Sequence, residues 1–408
     1  MEYLLFEDRT HFDLLPFTYT RPLFDLRVGI LTGQERWQRV LGAPVAARTL
    51  GYLRAHFDRP PQGRDVCWIN SKFFPDPDLS YLIGEAAPRT AYLGSRGDLL
   101  LARFDPALLP AGHDPDLLSL PGLEVVQTAL DPLALRFPED IFALNAELIR
   151  RDFALLTQAI SEPLRDPHTR VYGADNLYLA PGARVRAALI DAEDGPVYLG
   201  PSSLVSAGAI IQGTHAIGPH ATVAMGAKLR GDTTLGPWVK AGGEITNSVI
   251  MGYSNKAHDG YLGNAVLGYW CNLGADTNAS NLKNTYQPVR LWHEASGSYR
   301  DTGRTFCGLM MADHSKCGIN TMFNTGTVVG VSANIFGADF PPAFLPSFSW
   351  GGAAGLSTYR LDKALETAGR VMSRRQLALS QAEQEVFAAV FARTAAYRTW
   401  DSEAGTPP

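Results

Sequence analysis

The chain has 408 residues, of which 46% are hydrophobic and 19% charged, with a formal net charge of −5. This length predicts two or three domains, and the composition excludes a disordered, solvating chain. The mild acidity leaves no nucleic-acid footprint, and no apolar run nears the ~20 residues of a bilayer span.

Glycine at 39 and proline at 27 favour short strands and tight turns over long exposed helices. Cys67, Cys271, Cys307 and Cys317 form no CxxC pair, so a reduced, cytoplasmic setting is expected rather than a zinc site or a disulfide framework. The first eight residues lack the basic flank of a signal peptide.

In chain order, residues 1–160 read as an α/β layer domain. Tyr3-Leu4-Leu5-Phe6 and Val66-Cys67-Trp68-Ile69 are apolar runs of buried-strand type. Ile141, Leu144, Leu148, Phe153 and Leu156 recur at roughly helical spacing. Residues 161–170, with Pro163 and Pro167, read as a linker.

From 171 to 340 the pattern changes. Leu199, Val205, Ile211, Ile217, Val223, Leu229 and Leu235 are six apart, each followed four residues later by a mostly small side chain such as Ser203, Ala209, Ala221 or Ala227. Helices repeat at three to four residues and strands at two. Period six instead predicts a triangular coil of short strands, about 18 residues per turn, stacked at the inter-strand spacing of roughly 4.8 Å. Leu267 and Leu273, then Met311, Cys317, Phe323, Val329 and Ile335, resume it. Residues 252–262 and 278–304 break the pattern and are expected to leave the coil and carry binding groups.

Residues 341–408 are expected to form a C-terminal arm: an irregular stretch over 341–355, then two short helices. Leu361, Leu365 and Ala368 mark the first helix, and the capping box Ser380-Gln381-Ala382-Glu383 opens the second. The last four residues are expected to fray.

The segment Ser254-Asn255-Lys256-Ala257-His258-Asp259-Gly260-Tyr261-Leu262-Gly263-Asn264-Ala265, followed by Asn272-Leu273-Gly274-Ala275-Asp276-Thr277, resembles the acetyltransferase half of the bifunctional glucosamine-1-phosphate acetyltransferase / N-acetylglucosamine-1-phosphate uridyltransferase family. That resemblance implies an N-terminal nucleotidyltransferase-like (Rossmann-like) α/β domain, an all-β left-handed parallel β-helix of hexapeptide repeats, and assembly as a homotrimer. It implies His258 as the general base, a neutral imidazole accepting the proton of an attacking sugar amine. By the same resemblance Tyr261, Asn272 and Lys256 contact the sugar phosphate, and Asn281 lies on the acetyl-CoA side. Lys283 and Arg290 are candidate CoA or phosphate contacts. The glycine before the family's histidine is missing, and Thr246 stands where a phosphate-binding lysine is usual; Lys240 and Arg230 are candidates to replace it.

Pro16-Phe17-Thr18-Tyr19-Thr20-Arg21-Pro22, Asp25-Leu26-Arg27 and Asp140-Ile141-Phe142-Ala143-Leu144-Asn145 resemble a short, divergent sugar-phosphate nucleotidyltransferase. Its glycine-rich triphosphate loop is absent. Arg21 and Arg27 are the candidate phosphate ligands, Asn145 the candidate residue on the side of a Mg²⁺ ion carrying UTP or a similar triphosphate, and Asn70 ends a central strand.

The expected reactions are N-acetylation of glucosamine-1-phosphate and nucleotidyl transfer to UDP-N-acetylglucosamine or a similar product. Two other readings stay open: a single-activity acyltransferase with a degenerate nucleotide-binding domain, and a non-catalytic solenoid scaffold. His215 and His220 have the spacing of two zinc ligands, but no third histidine stands one coil away, so both are read as corner residues.

Overall fold

The two apolar runs of the N-terminal region become neighbouring strands buried on both faces, as continuous Val, Leu and Ile runs do in parallel sheets. Residues 1–109, 117, 120 and 122–403 are described by the computed structural model, and they divide into two units. The first unit is Met1–Leu14, Arg21–Leu26 and Leu31–Phe137.

Among its described residues six strands pair: β1 (Glu2–Phe6), β2 (Val45–Arg48), β3 (Val66–Asn70), β4 (Thr90–Leu93), β5 (Leu99–Phe104) and β6 (Glu124–Gln127), in the order β2-β1-β3-β5-β4-β6. β1 runs parallel to both β2 and β3, whereas β5 is antiparallel to its neighbours. Leu5 packs one face with Phe24, Trp37 and Ile69; Leu4 and Phe6 pack the other with Trp68 and Phe104. The helix Gly33–Leu41 starts on a reciprocal Thr32/Glu35 capping box and stops at left-handed Gly42. This is a mixed, Rossmann-like α/β sheet.

The second unit comprises Leu15–Thr20, Arg27–Ile30 and the chain from Pro138 onward. After the helix Asn145–Leu156 it is a long parallel β-solenoid. Three ladders of short strands make its faces, with register set by the inward residues. Ile190, Ile211 and Leu229 stack on the first face, Leu199, Ile217 and Leu235 on the second, and Val205 and Val223 on the third. All of these are buried in one continuous core that no single coil could form.

Two expectations are corrected. Residues 252–262 do not leave the solenoid: Asn255–Lys256 pairs with Lys240–Ala241, and Tyr261–Gly263 with Glu244–Thr246. Inward positions there run Leu235, Ala241, Ile245, Ile250, Lys256, Leu262 and Leu267. Shortened corners break the six-residue count, and one inward position is a lysine. Residues 341–355 are not irregular either. Phe344–Leu345 pairs with Val328–Val329 and Ser349–Gly352 with Asn334–Ile335, adding a further coil.

The excursion that does leave the coil follows the strand Asn278–Ala279. It holds an antiparallel hairpin, Arg290–His293 with Ser298–Asp301, before Met310–Met311 rejoins the second face. Helices Leu361–Ser373 and Gln381–Arg393 follow the last coil, the second on the Ser380/Glu383 capping box. The expected fraying of residues 405–408 lies outside the described residues. Among the described residues no helix is long and apolar enough to cross a membrane.

Candidate active site

The corner between the second and third faces is built from Gly-Pro-x turns: Gly200-Pro201-Ser202, Gly218-Pro219-His220 and Gly236-Pro237-Trp238. Such a turn needs a left-handed third residue, where glycine is the low-cost choice. Ser202 takes it in the first turn with φ of 56°, and along the rest of the corner bulky rings hold the left-handed position, with φ of 57° at His220, 61° at Trp238, 55° at Tyr253, 63° at Trp270 and 60° at His314. Left-handed aromatic residues are outliers, and outliers of this kind cluster at functional sites. The rings stack along the corner, His220 on Trp238 at 4.4 Å and Tyr253 on Trp270 at 4.3 Å between centroids.

Beside that corner, the outward residues of the third face form a column. Lys240, Asn255, Asn272 and Lys316 are successive ladder partners, and Asn255 Nδ2 lies 3.4 Å from Asn272 Oδ1. With Arg374 and Arg375 beyond the helix Leu361–Ser373, they line a groove of about 570 Å³. His258 and Asn272 both line it, His258 exposed on the turn that follows Asn255–Lys256. Burial pushes the Lys316 ammonium down to about 8, with Nζ donating to His314 O at 2.7 Å.

Lys256 is not offered to a substrate. It is 1% exposed, and its Nζ donates to the carbonyl oxygens of Gly242, His258 and Asp259 at 3.2, 2.5 and 2.9 Å. Burial pushes its pKa down to about 8. The inward lysine ties down the turn that carries His258, so the expectation of a substrate contact is corrected to one of local anchoring.

Tyr261 and Asn281 come together, but on the first face and outside the groove. Asn281 Nδ2 donates to Tyr261 Oη at 3.0 Å and to Asn264 Oδ1 at 2.8 Å, and burial pushes the Tyr261 phenol up. Lys283 and Arg290 belong to the excursion: Lys283 Nζ donates to Pro288 O at 3.1 Å, and Arg290 Nη2 to Tyr299 O at 2.9 Å. Neither lines the groove. Arg230 is ion-paired to Glu244 on the solenoid surface. His215 is buried, its pKa pushed down to about 4 by desolvation, while His220 lies exposed on Trp238.

The N-terminal candidates are internally engaged. Arg21 is ion-paired to Asp25, and buried Arg27 donates from Nη1 to Ile30 O. Asn145 is fully buried: Oδ1 accepts from Gly29 N at 2.8 Å and Thr234 Oγ1 at 2.9 Å, and Nδ2 donates to Asp232 O at 3.2 Å. Its carboxamide oxygen, the atom a cation would need, already accepts two hydrogen bonds from the protein and does not fit a Mg²⁺ site. No group of three or more His, Cys, Asp or Glu is placed to hold a metal among the described residues.

At the carboxyl edge of the first unit's sheet, where open α/β sheets bind ligands, Lys72 bridges Asp8 and Asp98 at 2.8 Å each. Arg136 reaches Asp98 at 2.9 Å, and Asn70 Nδ2 donates to Asp8 Oδ2 at 2.8 Å. Burial alone would raise the Asp8 carboxyl, but the Lys72 charge and the hydrogen bonds outweigh it and hold the group below its ordinary range.

Sequence reasoning missed this network, although charged residues directly after two apolar strand runs were its signal. It also missed Tyr253, Trp270, Lys316, Arg374 and Arg375, for which aromatic residues shortly after Gly252 and Gly268 and an Arg-Arg pair after a helix were the available signs.

Comparisons with known proteins find partial similarities. Residues 3–160 match the family described as sugar nucleotidyl transferase. The bifunctional protein GlmU of Methanococcus vannielii is 34% identical over 96 residues, covering 24% of this chain and 22% of that one. A bifunctional sugar-1-phosphate nucleotidylyltransferase/acetyltransferase of Sulfurisphaera tokodaii is 31% identical over 93 residues, 23% of each chain.

The match thus spans under a quarter of these curated relatives. Among solved structures, the polySia-specific acetyltransferase NeuO aligns at 14% identity and a TM-score of 0.26, over 51% of this chain and 91% of that one. Residues 3–160 are thus similar to sugar nucleotidyl transferases, and a stretch of under a quarter of the chain is similar to bifunctional sugar-1-phosphate enzymes.

Proposed function

We propose that the solenoid catalyses acetyl transfer from acetyl-CoA to the amine of an amino-sugar phosphate such as glucosamine-1-phosphate. On this reading residues 171–340 are the acyltransferase domain, joined by the linker 161–170 to the sugar-nucleotidyltransferase-type domain 1–160, with 341–408 as the C-terminal arm. The enzyme works in the cytoplasm as a homotrimer. One observation carries the proposal: His258 stands exposed in the groove beside Asn272, on a turn held by Lys256.

In this mechanism the neutral imidazole takes a proton from the amine as nitrogen attacks the thioester carbonyl, and collapse of the tetrahedral intermediate releases the CoA thiol. Asn272 orients the sugar. Tyr261 and Asn281, on the first face, reach ligand only where a neighbouring solenoid of the trimer brings a site to them. Lys283 and Arg290 stand further out as CoA contacts.

Two readings of the N-terminal domain follow. In one, Arg21 and Arg27 hold a triphosphate and the domain makes UDP-N-acetylglucosamine or a similar nucleotide sugar. In the other it binds a nucleotide sugar without transferring it. The second is favoured by Lys72, which neutralises the Asp8 and Asp98 carboxylates, and by the Asn145 amide oxygen, already occupied by two protein donors.

The test incubates the protein with acetyl-CoA, glucosamine-1-phosphate, UTP and Mg²⁺ and follows thiol and pyrophosphate separately. Thiol release that depends on the sugar supports acetyl transfer, and its absence with every amino-sugar phosphate tried overturns it. Pyrophosphate release supports the first N-terminal reading; its absence supports the second.

A further inference from the structure

Lys72 is placed as a bound cation is placed, between two carboxylates. It follows β3 at the carboxyl edge of the first unit's sheet, the edge at which open α/β sheets meet their ligands. Its Nζ lies 2.8 Å from Asp8 Oδ2 and 2.8 Å from Asp98 Oδ1. Asp8 stands just after β1 and Asp98 just before β5, so three strands of the sheet converge on one ammonium.

The other carboxylate oxygens are taken by the protein. Asp8 Oδ1 accepts from Thr10 N at 2.8 Å, and Asp98 Oδ2 from Arg136 Nη2 at 2.9 Å. Asp8 Oδ2 and Asp98 Oδ1 are left turned to the point that Nζ fills, as two carboxylates turn to a hard cation. Burial would raise both carboxyls, but Lys72 and the hydrogen bonds outweigh it and hold both below their ordinary value. The resemblance of residues 1–160 implies a Mg²⁺ ion, yet here the donor set is already filled from within the chain.

Stability alone does not select this arrangement. Deleting one member of a buried charged set destabilises a fold, whereas replacing the whole set by apolar side chains of similar volume is often neutral. A second observation is independent of charge. Ser71, between Asn70 and Lys72, is 6% exposed, and its Oγ has no hydrogen-bond partner among the described residues. A buried hydroxyl left unmatched costs free energy, and beside a filled charge network it marks an edge built for polar ligands rather than for packing.

We infer that the Lys72 ammonium is a built-in replacement for a divalent cation, filling the point between Asp8 and Asp98 at which a hard ion would otherwise be held. The wild-type edge is then metal-free, and it meets an anionic ligand with the fixed charges of Lys72 and Arg136. Mg²⁺ and Ca²⁺ hold oxygen ligands at about 2.0–2.1 and 2.3–2.6 Å, and Mg²⁺ keeps several of its waters. Removing the lysine side chain frees room for such an ion, and the two oxygens need move by less than about 1 Å to reach it. The inference is independent of the acetyl-transfer reading and of pyrophosphate release, because the metal is counted on the free chain.

Electron paramagnetic resonance of Mn²⁺ on the full chain tests it. Lys72→Ala binds one more Mn²⁺ per chain than the wild type, and Mg²⁺ competes for that extra ion. Mn²⁺ also raises the melting temperature of the variant by roughly 2–4 °C, and the double variant K72A/D98N loses both effects. No extra ion in K72A, or an extra ion that survives in K72A/D98N, overturns the inference. Should K72A not fold, the wild type and Asp98→Asn decide the matter. Equal Mn²⁺ counts support Lys72 as the resident cation, and one ion fewer in D98N means that the pair already holds a metal, which overturns it. Failure of thiol or pyrophosphate release bears on the proposed function alone.

Discussion

Two basic regions of this protein are built on opposite plans. At the carboxyl edge of the N-terminal sheet, Lys72 is 3% exposed and divided between Asp8 and Asp98, with Arg136 completing the set. Every charge there has a counter-charge supplied by the same unit. On the third face of the solenoid, Lys240, Lys316, Arg374 and Arg375 share a groove with no acid, and His258 stands exposed beside them. A closed network uses its charge to hold the fold. An open one keeps its charge available, and the fold bears the repulsion until something anionic arrives. The difference says that polar residues should be weighed by whether their hydrogen-bonding and charge capacity is already taken.

Breaking the open side at His258 is expected to have the largest effect. His258→Ala should lower the rate of thiol release from acetyl-CoA about 100- to 10,000-fold, with the melting temperature unchanged because the side chain is exposed. Release that survives in this variant removes His258 as the base.

Breaking the closed side should act on stability. Lys72→Ala leaves Asp8 and Asp98 facing each other at the sheet edge and is expected to cost roughly 2–3 kcal/mol, read as a lower urea midpoint at pH 7. The pH dependence has a definite sign. Asp8 and Asp98 are held below their ordinary value of 3.8. The wild-type network therefore stabilises the fold above that value, and the benefit disappears as pH falls through the lowered folded values. The variant should show a smaller loss of stability below pH 4 than the wild type.

The contrast between closed and open was mostly hidden in the amino-acid order. Period six exposes the solenoid because each inward slot must be aliphatic and each corner small, and Leu199 through Leu235 keep the count. It fails where corners shorten around Gly242 and Gly243 and where Lys256 takes an inward slot, so a plain coil looks like an excursion. It fails again over 341–355, where Pro346 and Phe348 build corners from residues that read as irregular. The motif around His258 is legible as a string because Lys256, His258 and Asn272 lie close in sequence. What no string shows is that Lys256 points into the core while His258 points out.

The groove's remaining cations come from the third face and from the arm far downstream, and only the ladder register and the arm's packing bring them together. Lys72, Asp8 and Asp98 are likewise distant in sequence, and the strand order β1-β3-β5 makes them neighbours. The sugar-nucleotidyltransferase resemblance of residues 3–160 was readable from local strings, whereas which charges are already matched was not.

Lys256 sharpens the comparison because it is a closed cation inside the open region. Its folded pKa of about 8 lies below the 10.5 of a free lysine. Between those values the unfolded chain binds the proton more strongly, so wild-type stability should rise with pH across that window through this group. Lys256→Met lacks the rise, and the gap between the two proteins should change by about 2 kcal/mol between pH 7 and pH 9.5 in urea unfolding. Because the same ammonium holds the His258 and Asp259 carbonyls, the variant should also lose about tenfold in kcat with little change in KM for acetyl-CoA. A stability difference independent of pH would mean that the lysine is not a buried cation.

Arg230 gives the smallest expected effect and the cleanest control. It pairs with Glu244 on the exposed first face, a closed contact in high-dielectric surroundings. Surface pairs of this kind contribute about 0–1 kcal/mol and are screened by salt. Arg230→Ala should therefore shift the urea midpoint barely, and less still at high salt. If it lowered the midpoint as much as Lys72→Ala does, exposure would not discount a matched charge. The closed network at the sheet edge would then lose its separate meaning for this fold.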